Sequence, residues 1–273
     1  MRRSYCWLGL VLVLAAVSCG GDGGRLDPIL SLSAEESLAQ GKAALEAKKY
    51  FKARRFLTHA FEVAPNTAMG REALLLAADT FFLQGGEANL IQAEAKYRDY
   101  LNRFPTSDFA AYVQFQLGNC LAKRTKRADR DQTPTEKALA AYQEVLRLYP
   151  TSEYAAQARD EIRVVRGRLA EHEYLVGKFY LSYGIYIAAI SRLEGLLETY
   201  KDYEEKDKVY LTLGRSYLKA GLNVKAFNTF ERLRREYPES RLVKEIPELL
   251  LTPNPAGPEA EDESRPEDAS TET

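Results

Sequence analysis

The sequence predicts an all-α fold: a solenoid of about five stacked helix–turn–helix repeats, with one long helix fused between the third and the fourth. Three observations predict it. Apolar residues recur at alternating steps of three and four, small residues and prolines recur at fixed offsets, and Tyr-Pro-x-Ser segments separate the helical stretches.

The stretch 152–183 carries the longest apolar stripe: Ala155, Ala158, Ile162, Val165, Leu169, His172, Val176, Phe179 and Tyr183. That spacing places all of them on one face of a helix. Thr151 or Ser152 can cap its start after Pro150, and Gly184 can end it. At 1.5 Å per residue the helix would be roughly 48 Å long, far above a mean of about 11–12 residues. A helix of this length closes the module before it and opens the one after it.

The repeat pattern runs from Ser33 onward. Gly41, Ala53, Ala60 and Pro65 match the small-residue and proline positions of a tetratricopeptide repeat. Helices crossing at close approach leave room only for Gly or Ala, and proline stops the second helix. The pattern returns at Gly118, Ala138 and Pro150, at Gly177 and Ala189, and at Gly214, Ala226 and Pro238, with Leu193 and Phe230 as large partners. A weaker unit has Ala78 in the glycine slot, followed by Ala93, Tyr97 and Pro105. Extra residues fall at Gly85-Gly86-Glu87 and in a polar loop from Lys123 to Thr135.

The N-terminus reads as an address. Arg2 and Arg3 precede an apolar run, Trp7 to Val17, too short for a permanent membrane span, as in a secretory signal peptide. Ala16-Val17-Ser18-Cys19 looks like a lipobox, with Ala16 where Leu is preferred, and makes Cys19 the acylated residue. A plain signal peptide cleaved near a cysteine is the other reading. Gly20, rather than Asp, after Cys19 implies sorting to the outer membrane. The expected organisation is a signal peptide over 1–18, acylated Cys19 and a tether over 19–32, N-terminal repeats over 33–150, C-terminal repeats with the connecting helix over 151–250, and a disordered acidic tail over 251–273.

A net charge of −1 argues against a nucleic-acid partner. The basic cluster Lys123, Arg124, Lys126, Arg127 and Arg130 is diluted by Asp129 and Asp131 and has no interleaved aromatic residue. Cys6 and Cys19 lie in the targeting segment and Cys120 stands alone on a helix, so no disulfide framework is expected. No metal or cofactor is expected, and no catalysis: His59 and His172 sit on helical stripes without partners at ligand or triad spacing. Most tyrosines fall on packing positions. A helical-repeat solenoid presents a concave groove for extended segments, so binding is the expected function.

The ordered set of features points to a narrower group. The lipobox, the repeats, the fused helix and the segments Asp129-Arg-Asp-Gln-Thr-Pro-Thr, Arg168-Leu-Ala-Glu-His-Glu-Tyr and Tyr180-Leu-Ser-Tyr-Gly resemble the BamD-type lipoproteins of the outer-membrane β-barrel assembly machinery. The resemblance runs from about Leu26 to Leu250 and includes Ala188-Ala-Ile-Ser-Arg-Leu-Glu-Gly-Leu-Leu. It implies a non-enzymatic scaffold, anchored by lipid to the periplasmic face of the outer membrane. Its partners would be a β-barrel insertase with POTRA domains, accessory assembly lipoproteins and unfolded outer-membrane protein precursors. The resemblance implies that Arg192, with Glu194, contacts the insertase; the plain alternative is a solvated helix charge paired with Glu194 or Glu198. It also implies a precursor groove in the first two repeats, where repeat geometry places Leu38, Lys42, Leu45 and Glu46. A pilus-secretin or cell-wall tetratricopeptide lipoprotein is the alternative, and neither accounts for the long helix.

Overall fold

A computed structural model describes residues 27–247. The signal peptide, Cys19 and its tether up to residue 26, and the acidic tail lie outside the described residues. The helices are α1 (Ala34–Glu46), α2 (Tyr50–Val63), α3 (Ala68–Gln84), α4 (Glu87–Arg103), α5 (Ala110–Lys123), α6 (Thr133–Leu148), α7 (Tyr154–Ser182), α8 (Tyr186–Thr199), α9 (Lys206–Lys219) and α10 (Asn223–Glu236). Short 3-10 turns, Pro28–Ser31 and Arg241–Glu245, flank them, and there is no strand among the described residues. The fold is all-α, built of helix–turn–helix repeats of the tetratricopeptide kind. It divides into two compact units, one ending at Thr80 and the other starting at Phe81.

In the first unit, α1 opens with a capping box: the Glu36 amide donates to Ser33 Oγ at 3.2 Å and the Ser33 amide donates to Glu36 Oε2 at 2.9 Å. Leu38, Ala44, Ala53, Leu57, Ala60, Ala73 and Ala77 form the core. The turn after α1 is closed by amides of Lys48 and Lys49 donating to Leu45 and Ala44 carbonyls, a Schellman pattern. The residue in its left-handed position is Lys48, at φ 56°.

In the second unit, two cores share α7. Ala158 and Val165 pack with α5 and α6 around Tyr142 and Val145. Ala170 and Tyr174 pack with α8, α9 and α10 around Leu193, Tyr217 and Phe230. The glycine slots work as the spacing requires. A β-carbon on Gly118 would stand 2.5 Å from Tyr142, one on Gly177 2.8 Å from Leu193, and one on Gly214 2.5 Å from Phe230. Where Pro150 ends a repeat, the Ser152 and Ala155 amides donate to the Tyr149 and Ser152 carbonyls and reverse the chain.

The long helix differs from expectation in three respects. It spans 29 residues, Tyr154–Ser182. Neither Thr151 nor Ser152 caps it: the boundary residue is Glu153 with no side-chain bond, and Ser152 Oγ donates instead to the Tyr149 carbonyl at 2.9 Å. Its stripe also drifts. Ala155, Ala158, Val165 and Leu169 are buried, but Phe179 and Tyr183 are 53% and 70% exposed, and the inward positions of the second half are Ala170, Tyr174 and Gly177. A straight helix turns 3.6 residues at a time, so a strict three-and-four pattern slides off one face over this length. Gly184 does end it, at φ 76°, with the Gly184 and Ile185 amides donating to the Leu181 and Tyr180 carbonyls.

Candidate functional site

Arg192 lies on α8, exposed, and its Nη1 donates to Glu173 Oε2 on α7 at 3.1 Å. Its partner is therefore Glu173, and neither Glu194 nor Glu198. Half of the Arg192 side chain is open to solvent, so the pair contributes at most about 1 kcal/mol to the fold and the guanidinium can exchange it for an acidic group on another molecule. Glu194, also exposed, accepts a hydrogen bond from the Tyr217 hydroxyl, and burial together with this carboxylate pushes the Tyr217 hydroxyl well above its ordinary pKa.

Glu173 also belongs to a polar cavity of about 560 Å³, walled by Asp129, Arg130, Asp131, His172 and Tyr200. The loop after α5 forms one side of it and is held against α7. His172 Nδ1 donates to the Ala128 carbonyl at 2.6 Å, Arg168 bonds Thr125, and Gln132 Nε2 donates to the Arg127 and Arg130 carbonyls. The insertion is thus a packed element. Two of its cations are paired, Arg124 with Glu94 at 2.5 Å and Arg127 with Asp129 at 3.3 Å.

Arg166 Nη2 reaches the Thr199 carbonyl at 2.8 Å and Asp202 Oδ1 at 2.7 Å, fastening α7 to the turn after α8. Hydrogen bonding from Arg166 holds the Asp202 carboxyl below its ordinary range. Lys208 bonds Glu171 at 2.6 Å and sits 4.6 Å from the Tyr174 ring. Neither group was singled out by sequence, because both join residues more than thirty apart.

The corner between α7 and α8 exposes apolar side chains, among them Phe179 and Tyr183, which the stripe had assigned to packing. The Phe179 and Tyr183 rings pack tilted, centroids 4.4 Å apart, and Ile185 and Ile187 are 49% and 69% exposed. Exposed apolar side chains at one corner are a candidate surface for contact with a partner.

In the first unit, the four groove residues part company. Leu38 is buried in the core and Leu45 packs against it. Lys42 pairs with Glu72 at 2.6 Å, and Glu46 alone is exposed. The buried His59 has a partner that spacing concealed: its Nδ1 lies 2.9 Å from Ser37 Oγ. Both residues are buried, and the pair joins α1 to α2, with His59 at the wall of an open pocket. Cys120 is fully buried, as expected.

Residues 31–225 match the YfiO family, described as outer membrane lipoprotein. The chain belongs to that family. Curated relatives agree in extent: the outer membrane protein assembly factor BamD of Caulobacter vibrioides is 26% identical over 250 residues, 91% of this chain and 81% of its own length. The same factor of Haemophilus influenzae is 25% identical, over 80% of this chain and 86% of its own. Solved structures include the TPR2AB domain of yeast Sti1, at 16% identity and TM-score 0.42 over 75% of this chain and 78% of that one. Pseudomonas aeruginosa PilF follows at 17% and 0.36, over 78% and 95%. The matched region includes Leu38, Lys42, Leu45, Glu46, Arg192 and Glu194 and stops short of the end of α10.

Proposed function

We propose that this protein is a scaffold of outer-membrane protein assembly, without catalytic activity. The observation that carries the reading is the family match over 31–225, joined by relatives named as assembly factors that align over most of both chains. In this reading Cys19 carries the lipid anchor, including a palmitate chain, and holds the protein on the periplasmic face of the outer membrane. Two or more acyl chains, each contributing about 0.8 kcal/mol per buried CH₂, anchor without a transmembrane helix; none of the described helices is long and apolar enough to cross a membrane.

The second unit docks on the POTRA domains of the β-barrel insertase. Arg192 leaves Glu173 for an acidic partner residue, Glu194 supports the face, and the apolar corner of Phe179, Tyr183, Ile185 and Ile187 supplies buried area. The first unit receives the terminal segment of unfolded outer-membrane precursors, with Lys42 and Glu46 as its polar groups and Leu38 and Leu45 shaping the wall from within. Accessory assembly lipoproteins complete the complex.

The test is affinity purification of the C-terminally tagged protein from membranes in mild detergent, beside Arg192→Glu and Cys19→Ala. A large POTRA-bearing barrel retained by the wild type and lost from Arg192→Glu supports the docking face. Recovery of a secretin or a cell-wall synthase in its place overturns the reading. Incorporation of labelled palmitate into wild type but not Cys19→Ala tests the anchor.

A further inference from the structure

We propose that the outer face of the first repeat, where Leu30 and Phe51 project between lysines, rests on an anionic phospholipid surface. The proposal rests on the anchor at Cys19.

The face is built from the Pro28–Ser31 turn and the outer side of α2. Ala53, Leu57 and Ala60 turn inward to the core, which leaves Phe51, in the first turn, facing out. It is 72% exposed and Leu30 is 60% exposed. Together with Ile29, Arg54, Arg55 and Thr58 they line an open pocket of about 330 Å³. Nothing in the packing of the unit accounts for two large apolar side chains held in water side by side.

Asp27 and Glu62 also line the pocket, Asp27 bonded to Arg55, and the charges next to Phe51 at the start of α2 are lysines. Lys48, Lys49 and Lys52 are exposed, with Lys52 reaching over the Phe56 ring. Glu62 closes the pocket at the far end of α2, about 16 Å along the helix from Phe51. Lys48 is held there at a cost. The equivalent turns after α3, α7 and α9 place Gly85, Gly184 and Gly221 in the left-handed position, at φ 70°, 76° and 77°, whereas the first repeat places Lys48 there at φ 56°. A side chain is retained where the backbone favours glycine, a pattern that accompanies function.

The tether supplies the direction. Asp27 is bonded to Arg55, so the chain enters the structure beside this face. Positions 19 and 27 are eight residues apart, and a fully extended chain of that length reaches only about 26–29 Å. An acylated Cys19 therefore keeps the Leu30–Phe51 face next to the bilayer, where apolar side chains enter the boundary between headgroups and acyl chains and lysines meet lipid phosphates.

The chain's single tryptophan, Trp7, lies in the signal peptide, so Phe51→Trp places one reporter in the mature protein. The acylated full-length variant is reconstituted into vesicles of phosphatidylethanolamine and phosphatidylglycerol brominated near the headgroup. A parallel variant carries Val63→Trp, at the other end of α2 and 52% exposed in the parent. The expected result is about twofold quenching at position 51, as for a ring in the interfacial boundary, little at position 63, and loss of the difference when Lys48→Glu and Lys52→Glu are added. Protein that floats with the vesicles but is quenched at neither site, or equally at both, overturns the proposal and leaves the anchor standing. Protein that does not float overturns the anchor and the proposal together. A tryptophan unquenched by lipid whose emission shifts on adding an unfolded barrel precursor assigns the face to peptide and overturns it also.

Discussion

Gly177 on α7 and Leu193 on α8 approach so closely that a β-carbon on the glycine would stand 2.8 Å from the leucine side chain. Gly167, a few turns earlier on the same helix, faces open space. The two positions therefore respond to one substitution with opposite signs. Gly167→Ala gains helix propensity and stabilises by about 0.5–1 kcal/mol. Gly177→Ala gains the same but forces α8 aside, and a net loss of about 1–2 kcal/mol is expected. Urea unfolding of both variants measures the pair, and equal signs would refute the close approach.

Lys48→Gly relieves the one left-handed side chain among the described residues. A gain of about 1 kcal/mol in unfolding free energy is expected, accompanied by weaker vesicle contact at Phe51. A variant that is both less stable and unchanged on vesicles contradicts both uses made of this residue.

The Arg192–Glu173 pair separates stability from docking. Glu173→Gln should change unfolding free energy by less than about 1 kcal/mol, since the pair is solvent-screened. Arg192→Ala should be equally mild for the fold yet lower insertase affinity by roughly 2–5 kcal/mol if the guanidinium is buried against an acid in the complex. Calorimetric titration of the purified partners reads the second quantity.

High pH should loosen the second unit before the first. The Tyr210 hydroxyl, which donates to Glu236 Oε2 at 3.1 Å, is pushed by burial up to about 12. Tyr203 and Tyr217 shift the same way, first through burial and then through Glu171 and Glu194. Burial alone would lower Lys208, but hydrogen bonds to Glu171, Glu205 and Tyr203 outweigh it and raise it. Each group holds its proton more tightly folded than unfolded, so their stabilisation is complete below about pH 10 and falls as pH rises through the folded values. Unfolding free energies should decline as pH rises from about 10 to 12, with a shallower slope in Tyr210→Phe.

His172→Ala removes the imidazole N–H that holds the Ala128 carbonyl at 2.6 Å. The loop of residues 124–132 should then open more readily, by about 0.5–1.5 kcal/mol. Tryptic cleavage after Lys126 and Arg127 reports it, and unchanged cleavage would mean that Arg168 and Gln132 hold the loop without it.

The repeat architecture was legible because it rests on local rules. Gly118, Gly177 and Gly214 mark helix crossings by the absence of a side chain, and Pro150 and Gly184 mark ends by what the backbone can do. The seven-residue offset from Gly41 to Lys48 matches that from Gly177 to Gly184, so the left-handed lysine was in principle visible; its chemical type concealed it. Through-space partners were not legible. Glu173 lies nineteen residues before Arg192, and Ala128 forty-four before His172, and no periodicity links either pair. Phe179 and Tyr183 were misassigned because an idealised stripe ignores the slow rotation of a real helix. Of the proposed groove, the identity of the helix followed from the repeat, but which side chains point outward depended on how α1 meets α2.

The single helix common to both cores of the second unit acts as a phase-setting shaft. Between Val165 and Ala170, the innermost contacts of its two halves, one inserted residue would turn everything downstream by about 100° and push it about 1.5 Å along the axis. Gly177 would keep Leu193 and Glu173 would keep Arg192, since both pairs lie downstream and turn together, but His172 would face away from the Ala128 carbonyl. Length variation in this segment is therefore quantised: insertions near seven or eleven residues, about two or three full turns, return both halves to nearly the same angular setting.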